Sequence, residues 1–203
     1  MGICYIVGAG DCKVIDFKEN TDDLVIAADG GYKYLLYANK KADIVVGDFD
    51  SLGEIPQNEN IIKLNPVKDI TDMQAAVDIG IEKGYKEFVL YGALGGRFDH
   101  SLANLQLIAS LSQNGKKALV RDGETVITAV TNGRIEFDAS HKGYISVFAH
   151  SDICSGVNEK GLKYTLVNAE LKNTFPLGVS NEFIGIKSEI SVVNGTVMVV
   201  YSV

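Results

Sequence analysis

The sequence has little that would indicate disulfides, membranes or nucleic acid. Its three cysteines are an odd number without CxxC spacing, so neither a disulfide framework nor a zinc knuckle is indicated. The net charge of −7 argues against the basic surface that nucleic acids require. No apolar run approaches the roughly 20 residues that span a bilayer, and no signal peptide follows Met1. We therefore expect a cytoplasmic protein with reduced thiols and no nucleic-acid or membrane partner.

Familiar nucleotide-binding motifs are also missing. The sequence contains no GxxxxGK[ST] phosphate loop, and Gly8-Ala9-Gly10 lacks the third glycine of a dinucleotide fingerprint. We interpret this short segment as a turn near a site rather than as a cofactor loop. The three histidines have neither metal-ligand nor catalytic-triad spacing. A nucleotide site in this chain must therefore be built from other residues.

The first 120 residues alternate strand patterns with helical patterns. Short apolar runs predict strands at residues 3–7, 24–28, 44–46, 61–64 and 88–91. Helices are predicted at residues 31–39, from Thr71 to just before Gly84, and around residues 102–111. Thr71 has the position of a helix N-cap. This alternation predicts an α/β domain with a mostly parallel sheet over residues 1–122.

The rest of the chain has a different pattern. Strands are predicted at residues 125–131, 134–137, 144–149, 163–166, 183–186, 190–193 and 196–201. Asn132-Gly133 and Asn194-Gly195 each predict a tight turn that joins two strands into a hairpin. We therefore expect an all-β, sandwich-like domain over residues 123–203.

Aspartates follow several of the predicted parallel strands. Such strands end at one edge of a sheet, where their loops converge and ligands bind. Carboxylates gathered there repel one another unless cations neutralise them, and oxygen ligands of this kind suit Mg²⁺ with substrate phosphates. The sequence therefore predicts a magnesium site at this edge. The aspartates in question are Asp29, Asp48, Asp50, Asp69, Asp72 and Asp99.

The same loops carry groups that suit phosphate. Lys68 and Arg97 supply positive charge, and the guanidinium of Arg97 can make two parallel hydrogen bonds to phosphate oxygens. Gly95-Gly96 lets backbone N–H groups approach an anion, close to the start of the next predicted helix. His100 lies in this loop as well. These residues predict a site for a phosphorylated ligand.

Each of these residues also has a purely structural interpretation. Asp72 suits the first turn of a helix, and Asp99 suits a helix cap. Asp29 suits a turn before two glycines, and Arg97 suits an ion pair with a neighbouring aspartate. The sequence favours the site because all of them fall at one predicted sheet edge.

Several short motifs, in their order and spacing, resemble those of the thiamine pyrophosphokinase family. They are DGG at 29–31, GDFDS at 47–51, KDITD at 68–72, GGRFDH at 95–100, GLKY at 161–164 and the SN-containing strand GVSNE at 178–182. The resemblance covers nearly the whole chain. It implies a magnesium-dependent enzyme that transfers pyrophosphate from ATP to the hydroxyl of thiamine, giving thiamine diphosphate and AMP.

The resemblance also implies a role for individual residues. It implies magnesium ligands at Asp48, Asp50, Asp72 and Asp99. It implies catalytic roles for Asp48, Asp72, Arg97 and Asp99. It implies ATP contacts from Asp29, Gly30, Lys68, Asp69, Thr71, Gly95, Gly96, Arg97 and His100. It implies thiamine contacts from Asp50, Tyr164, Ser180 and Asn181.

The family resemblance further implies a homodimer. The thiamine ring would lie between the α/β domain of one subunit and the β domain of the other, with Tyr164 stacked on it and Ser180 and Asn181 near its pyrimidine. Without the resemblance, Tyr164 is equally well an ordinary strand aromatic. Other functions remain open from the residues alone: another pyrophosphokinase, for example one acting on a pterin, a nucleotide-sugar enzyme with a DxD motif, or a binding module without catalysis.

Overall fold

The computed structural model describes residues 2–49, 60–65 and 69–203. Two predicted site residues, Asp50 and Lys68, lie outside these ranges. The chain forms two compact units. The first consists of Met1–Leu107 with Val120–Gly123, and the second of Ile108–Leu119 with Glu124–Val203.

The first unit contains a parallel sheet. Its strands are β1 (Cys4–Val7), β2 (Leu24–Ala28), β3 (Ile44–Gly47), β4 (Ile61–Lys63) and β5 (Glu87–Tyr91). They lie in the order β5-β1-β2-β3-β4, and each adjacent pair is parallel. Every residue of β1, β2 and β3 is buried, which explains why these strands are continuous apolar runs. The predicted parallel sheet is confirmed.

The helices follow the strands, as predicted. They are α1 (Gly31–Tyr37), α2 (Asp72–Glu82) and α3 (Phe98–Gln113). Thr71 is the N-cap of α2, and its Oγ1 accepts a hydrogen bond of 3.1 Å from the backbone N–H of Gln74. The predicted cap is therefore confirmed. The division between the two units passes through α3.

A strand that the sequence did not predict, β6 (Lys117–Asp122), follows α3. Only Ala118 and Val120 of this strand are buried. Two inward-facing apolar residues are too few to give a recognisable alternation. The division between the units passes through this strand as well.

From Glu124 onwards the second unit is all β, as predicted; before that it contains the end of α3 and the start of β6. Its strands are β7 (Thr125–Thr131), β8 (Arg134–Phe137), β9 (Tyr144–Ala149), β10 (Ile153–Lys160), β11 (Leu166–Lys172), β12 (Gly178–Glu182), β13 (Ser188–Ser191) and β14 (Thr196–Ser202). Four strands of one sheet lie in the order β12-β9-β14-β7, and the other sheet has the order β11-β10-β13-β8. Val147 and Val197 of the first sheet share a core with Val157 and Ile190 of the second. The unit is therefore a sandwich.

Some strand predictions in this unit were wrong. Strand β10 was not predicted, because its sequence ICSGVNEK has few apolar residues. The strand predicted at 163–166 starts only at Leu166, where β11 begins. The segment predicted as a strand at 183–186 makes only an isolated bridge, between Phe183 and Leu162.

The two predicted hairpins are also wrong. Strand β7 pairs with β14, and β8 pairs with β13, so each Asn-Gly turn leads from one sheet to the other. The backbone N–H of Asn132 donates to the carbonyl oxygen of Gly195 over 3.1 Å. The N–H of Gly195 donates to Oδ1 of Asn132 over 2.9 Å. The Asn-Gly pattern does predict the left-handed conformation that Asn132 adopts, with a φ of +47°. It does not predict which strands pair with β7 and β8.

All three cysteines are free. Burial raises the pKa of the Cys4 thiol to about 12, with a smaller contribution from the charge of Asp43, so this thiol stays protonated at neutral pH. No helix in the described ranges is long and apolar enough to cross a bilayer.

Candidate active site

A cleft of about 320 Å³ lies where the strands of the first unit end. It is lined by the loops that follow β1, β2 and β5 and by the start of α2. The predicted site residues that line it are Asp29, Thr71, Asp72, Gly95, Gly96, Arg97 and His100. Residues that are far apart in the sequence therefore meet in one place. Asp29 and Asp72, for example, are 43 positions apart. Ligands bind at this edge in open α/β sheets.

Asp29 is held by backbone contacts between neighbouring strands. It follows β2 with a φ of +48°, and its N–H donates to the carbonyl oxygen of Val46 in β3 over 2.8 Å. Asp48 comes one residue after the end of β3 and is half-buried. Phe49, next to it, is only 5% exposed and packs in the core of the first unit. The buried ring thus anchors the loop that carries Asp48.

The loop after β1 is bonded to the loop after β5. The N–H of Gly10 donates to the carbonyl oxygen of Gly92 over 2.9 Å, and the N–H of Asp11 donates to that of Leu94 over 2.7 Å. A Cβ atom at Gly10 would lie only 2.3 Å from the Leu94 oxygen, so a side chain there would force the loops apart. Gly8, Ala9 and Gly10 line the cleft, which agrees with their interpretation as a turn near the site.

The loop after β5 contains three glycines with positive φ, Gly92, Gly95 and Gly96, and the last two belong to the predicted phosphate site. Gly95 and Gly96 have φ values of +81° and +60°, in the left-handed region that side chains strain. Asn104 of α3 is buried, lines the same cleft and donates from Nδ2 to the carbonyl oxygen of Ala93 over 2.6 Å. Sequence reasoning missed Asn104. The available signal was a polar residue four positions before Ile108, on the apolar face of the helix.

Arg97 and Asp99 form the ion pair that the structural interpretation of Arg97 anticipated. The Nη2–Oδ2 distance is 2.5 Å and the Nε–Oδ1 distance is 3.2 Å. The hydrogen bonds from Arg97 hold the pKa of the Asp99 carboxyl below its usual value. Both side chains are largely exposed, at 72% and 63%, so solvent screens the pair. Arg97 lines the cleft, whereas Asp99 is not among the residues that line it.

The predicted magnesium ligands do not form a complete cluster within the described ranges. No group of three Asp, Glu, His or Cys residues lies close enough there to hold a metal. Two carboxylates, those of Asp29 and Asp72, do line the cleft. Mg²⁺ in phosphate-transfer sites is commonly held by one or two carboxylates, with waters and substrate phosphates as its other ligands. The oxygen donors of the cleft therefore fit this ion.

Not every predicted ATP contact lies in the cleft. Asp69 is exposed, and neither it nor Gly30 is among the lining residues. Gly30 is the residue before α1, next to Asp29.

The residues expected to contact thiamine lie in the second unit. Tyr164, in the segment between β10 and β11, is 60% exposed. Ser180 is exposed, has a φ of +61° and sits where a bulge interrupts the pairing of β12 with β9. Asn181 is only 4% exposed. Regular alternation from the buried Gly178 would turn Ser180 inward, but the bulge shifts the alternation by one residue, so Ser180 faces solvent and Asn181 faces inward.

Comparisons with known proteins agree with this two-part organisation. The thiamin pyrophosphokinase catalytic domain matches residues 18–120, and the vitamin B1 binding domain of thiamin pyrophosphokinase matches residues 133–197. The thiamine pyrophosphokinase of Bacillus subtilis is 30% identical over 208 residues, covering 97% of each chain. The chain belongs to the thiamine pyrophosphokinase family.

Solved structures of thiamine pyrophosphokinases have the same fold. The crystal structure of the Bacillus subtilis protein matches with a TM-score of 0.87 and 27% identity, covering 100% of this chain and 99% of that one. The structure of the Geobacillus thermodenitrificans protein matches with a TM-score of 0.84 and 28% identity, covering 99% and 97%. The resemblance that the sequence motifs indicated is therefore confirmed over the full chain.

Proposed function

We propose that this protein is a thiamine pyrophosphokinase. It transfers the terminal pyrophosphate of ATP to the hydroxyl of thiamine, and the products are thiamine diphosphate and AMP. The observation that carries this proposal is the cleft of the first unit, which combines Asp29 and Asp72 with the glycine loop and Arg97 in a member of this family.

The cleft suits the triphosphate of ATP. Gly95 and Gly96 allow backbone N–H groups to approach phosphate oxygens without a side chain in the way. The N-terminal end of α2, an eleven-residue helix, starts at the cleft with Thr71 and Asp72. Arg97 adds a positive charge, and His100 lies beside it. Gly30, Lys68 and Asp69 are further proposed contacts for ATP.

Magnesium is the proposed cofactor. Asp29 and Asp72 are its proposed ligands within the cleft, and Asp48, Asp50 and Asp99 remain the other predicted carboxylates of this site. Held by these carboxylates, the ion would supply positive charge to offset the phosphates and the charge that develops on the departing AMP. Removal of the metal with a chelator should abolish turnover.

The protein contributes mainly by positioning the two substrates. The hydroxyl oxygen of thiamine attacks the β-phosphorus of ATP, and the bond from that phosphorus to the oxygen bridging the α- and β-phosphates breaks. The hydroxyl proton passes to a carboxylate of the cleft, and Arg97 offsets the charge that develops on the phosphates. Exposed Arg97 and Asp99 are already paired, so phosphate binding would redirect the guanidinium from Asp99 to the substrate.

Thiamine is proposed to contact the second unit through Tyr164 and Ser180. An exposed aromatic ring suits stacking on the thiamine rings, and an aromatic face also attracts the cationic thiazolium. In the proposed homodimer, these residues would come from the subunit opposite the one that binds ATP.

The second unit carries an apolar edge that supports the dimer proposal. Strand β12 is at the end of its sheet, and Phe175, Leu177 and Val179, in and just before this strand, are 63%, 50% and 43% exposed. Alternate apolar side chains beside an edge strand form a self-complementary surface for a second copy. Sedimentation velocity should give about twice the chain mass of 21.9 kDa. Leu177→Lys should yield monomers, whereas Val167→Lys on β11 should not; a wild-type monomer would contradict the proposal.

The decisive experiment measures AMP. The purified protein, with ATP and Mg²⁺, should release AMP and thiamine diphosphate in equal amounts when thiamine is added, and no AMP without it. Release with a pterin alcohol but not with thiamine would indicate another pyrophosphokinase. Thiamine binding by calorimetry without AMP formation would indicate a binding module. The cytoplasm is the proposed location of the reaction, and the three free cysteines are consistent with it.

A further inference from the structure

A polar pair is buried inside the sandwich of the second unit. Glu159 of β10 is 1% exposed and Asn181 of β12 is 4% exposed. The two strands belong to different sheets, and Nδ2 of Asn181 donates to Oε2 of Glu159 over 2.7 Å. The other carboxyl oxygen, Oε1, has no hydrogen-bond partner within the described ranges. The carboxyl group therefore serves Asn181 and no other described side chain.

Asn181 uses every hydrogen-bonding position that its side chain has. Its Oδ1 accepts from the backbone N–H groups of Tyr164 and Glu182, each over 2.9 Å. Its Nδ2 donates to the carbonyl oxygen of Tyr164 over 2.6 Å and to Glu159. An amide offers two donors and accepts through two lone pairs, so none is left for a ligand.

These bonds fix Tyr164 by its backbone. Asn181 holds both the N–H and the carbonyl oxygen of Tyr164, while the ring stays 60% exposed. The preceding residues lie along the same strand end: the N–H of Lys163 donates to the carbonyl oxygen of Glu182 over 3.0 Å, and Leu162 bridges to Phe183. The ring therefore projects from a backbone whose position is set by one buried amide.

Stability does not explain the carboxyl group. Burial raises the pKa of Glu159, and the hydrogen bond from Asn181 only partly offsets this. A buried polar pair of this kind can often be replaced as a whole by apolar side chains of similar size without loss of stability. The Glu159 carboxyl group is costly to bury and contacts one amide, that of Asn181. Its presence is better explained by the Tyr164 backbone, which this amide holds in place.

We propose that Glu159 and Asn181 are positioning residues, which set the Tyr164 ring as the surface on which thiamine stacks. Glu159 orients the Asn181 amide, and the amide fixes the backbone of Tyr164. Neither side chain touches the substrate. This inference rests on the proposed function, and it assigns Asn181 a role different from the direct thiamine contact that the family resemblance implies.

The test compares variants that keep or lose the acceptor at position 159. Glu159→Gln retains an oxygen for Nδ2 of Asn181, so its KM for thiamine should stay within about twofold of wild type. Glu159→Leu removes the acceptor, and its KM for thiamine should rise about threefold to tenfold but no more than in Tyr164→Ala, with kcat and the KM for ATP within about threefold. Hydrogen exchange should be faster at the Tyr164 amide in Glu159→Leu than in wild type.

Two further variants keep the test informative. If Glu159→Leu does not fold, the test uses Glu159→Asp instead. The shorter side chain withdraws the carboxylate from Asn181 and should raise the KM for thiamine in the same way. Glu170→Leu, on the exposed face of β11, is the control and should leave both KM values unchanged.

The outcomes separate the two proposals. Wild-type protein that makes no AMP with thiamine overturns the proposed function and this inference with it. Active wild type, together with an unchanged KM for thiamine in Glu159→Leu or Glu159→Asp, overturns the positioning role alone. A lower kcat with unchanged KM would also overturn it, since that result indicates only a smaller folded fraction. In a Tyr164→Ala background, Glu159→Leu should add no further increase in KM.

Discussion

The two units hold their polar side chains in opposite ways. In the first unit, Asp29 and Asp72 line an open cleft at strand ends, where solvent and ligand can reach their charges. In the second unit, Glu159 lies within the core and its one described hydrogen bond goes to Asn181. The carboxylates of the first unit are thus placed to contact a ligand directly. In the second unit, the buried carboxyl group contacts an amide, and we propose that it acts by fixing the backbone of Tyr164.

The largest expected effect tests the open carboxylates. Asp72→Asn should lower kcat at least about 100-fold, because it removes a charge proposed to hold the metal beside the phosphates. The melting temperature should change little, since the cap by Thr71 remains. Asp78→Asn, in the same helix, is the matched control and should keep wild-type turnover. Full activity in Asp72→Asn would remove this residue from the site.

The next effect tests how the cleft loop is supported. Asn104→Ala leaves the Ala93 carbonyl oxygen without its buried donor and should lower the free energy of unfolding by about 1–3 kcal/mol. The KM for ATP should rise as the glycine loop loses its anchor. Urea unfolding and initial rates measure the two changes. Asn114→Ala, which removes an exposed bond to Ser110, should cost less than about 0.5 kcal/mol. Equal losses in both variants would contradict a special role for Asn104.

A smaller effect tests the exposed ring. Tyr164→Ala should raise the KM for thiamine by about threefold to tenfold, as expected for loss of one aromatic stacking contact, with kcat unchanged. Tyr164→Phe keeps the ring and should behave as wild type. Tyr37→Ala, which removes another exposed tyrosine ring, is the control. An unchanged KM in Tyr164→Ala would show that thiamine binds elsewhere.

The smallest effect concerns pH and the buried carboxyl. Because the folded-state pKa of Glu159 is raised, the folded protein keeps this proton at a pH where the unfolded chain has lost it. The contribution of Glu159 to the free energy of unfolding is thus most favourable at a pH below the pKa that this residue has in the unfolded chain. It becomes less favourable as the pH rises through the pKa of the folded protein. Glu159→Gln should therefore gain stability relative to wild type as the pH rises above the ordinary pKa of glutamate, about 4.3. Thermal unfolding at several pH values measures this difference; a constant difference would contradict a raised pKa.

Features encoded within a few residues were predictable from the sequence. The Thr71 cap depends on a residue three positions away, and Asp29 and Gly95 lie in short motifs beside apolar strands. Parallel strands bring such motifs together at one edge whatever the loop lengths, so the cleft followed from the fold class.

Features that depend on distant partners were not predictable. The Asn132 turn was recognisable, but its strands pair with β14 and β13 rather than with each other. Nothing in the sequence indicated a role for Glu159, because its partner Asn181 lies 22 residues later in another sheet. Local sequence determines backbone conformation at such positions, whereas the choice of partner depends on the whole sandwich.

The place of the last strand has a consequence for biosynthesis. Strand β14 is the last of the strands in chain order, yet it lies between β7 and β9. The parallel strands β1 to β5 have all been translated by Tyr91, so the first unit has its sheet long before the ribosome finishes. The sandwich lacks a central strand until β14 has been translated, and deletion of β14 would leave it open at its middle rather than at an edge.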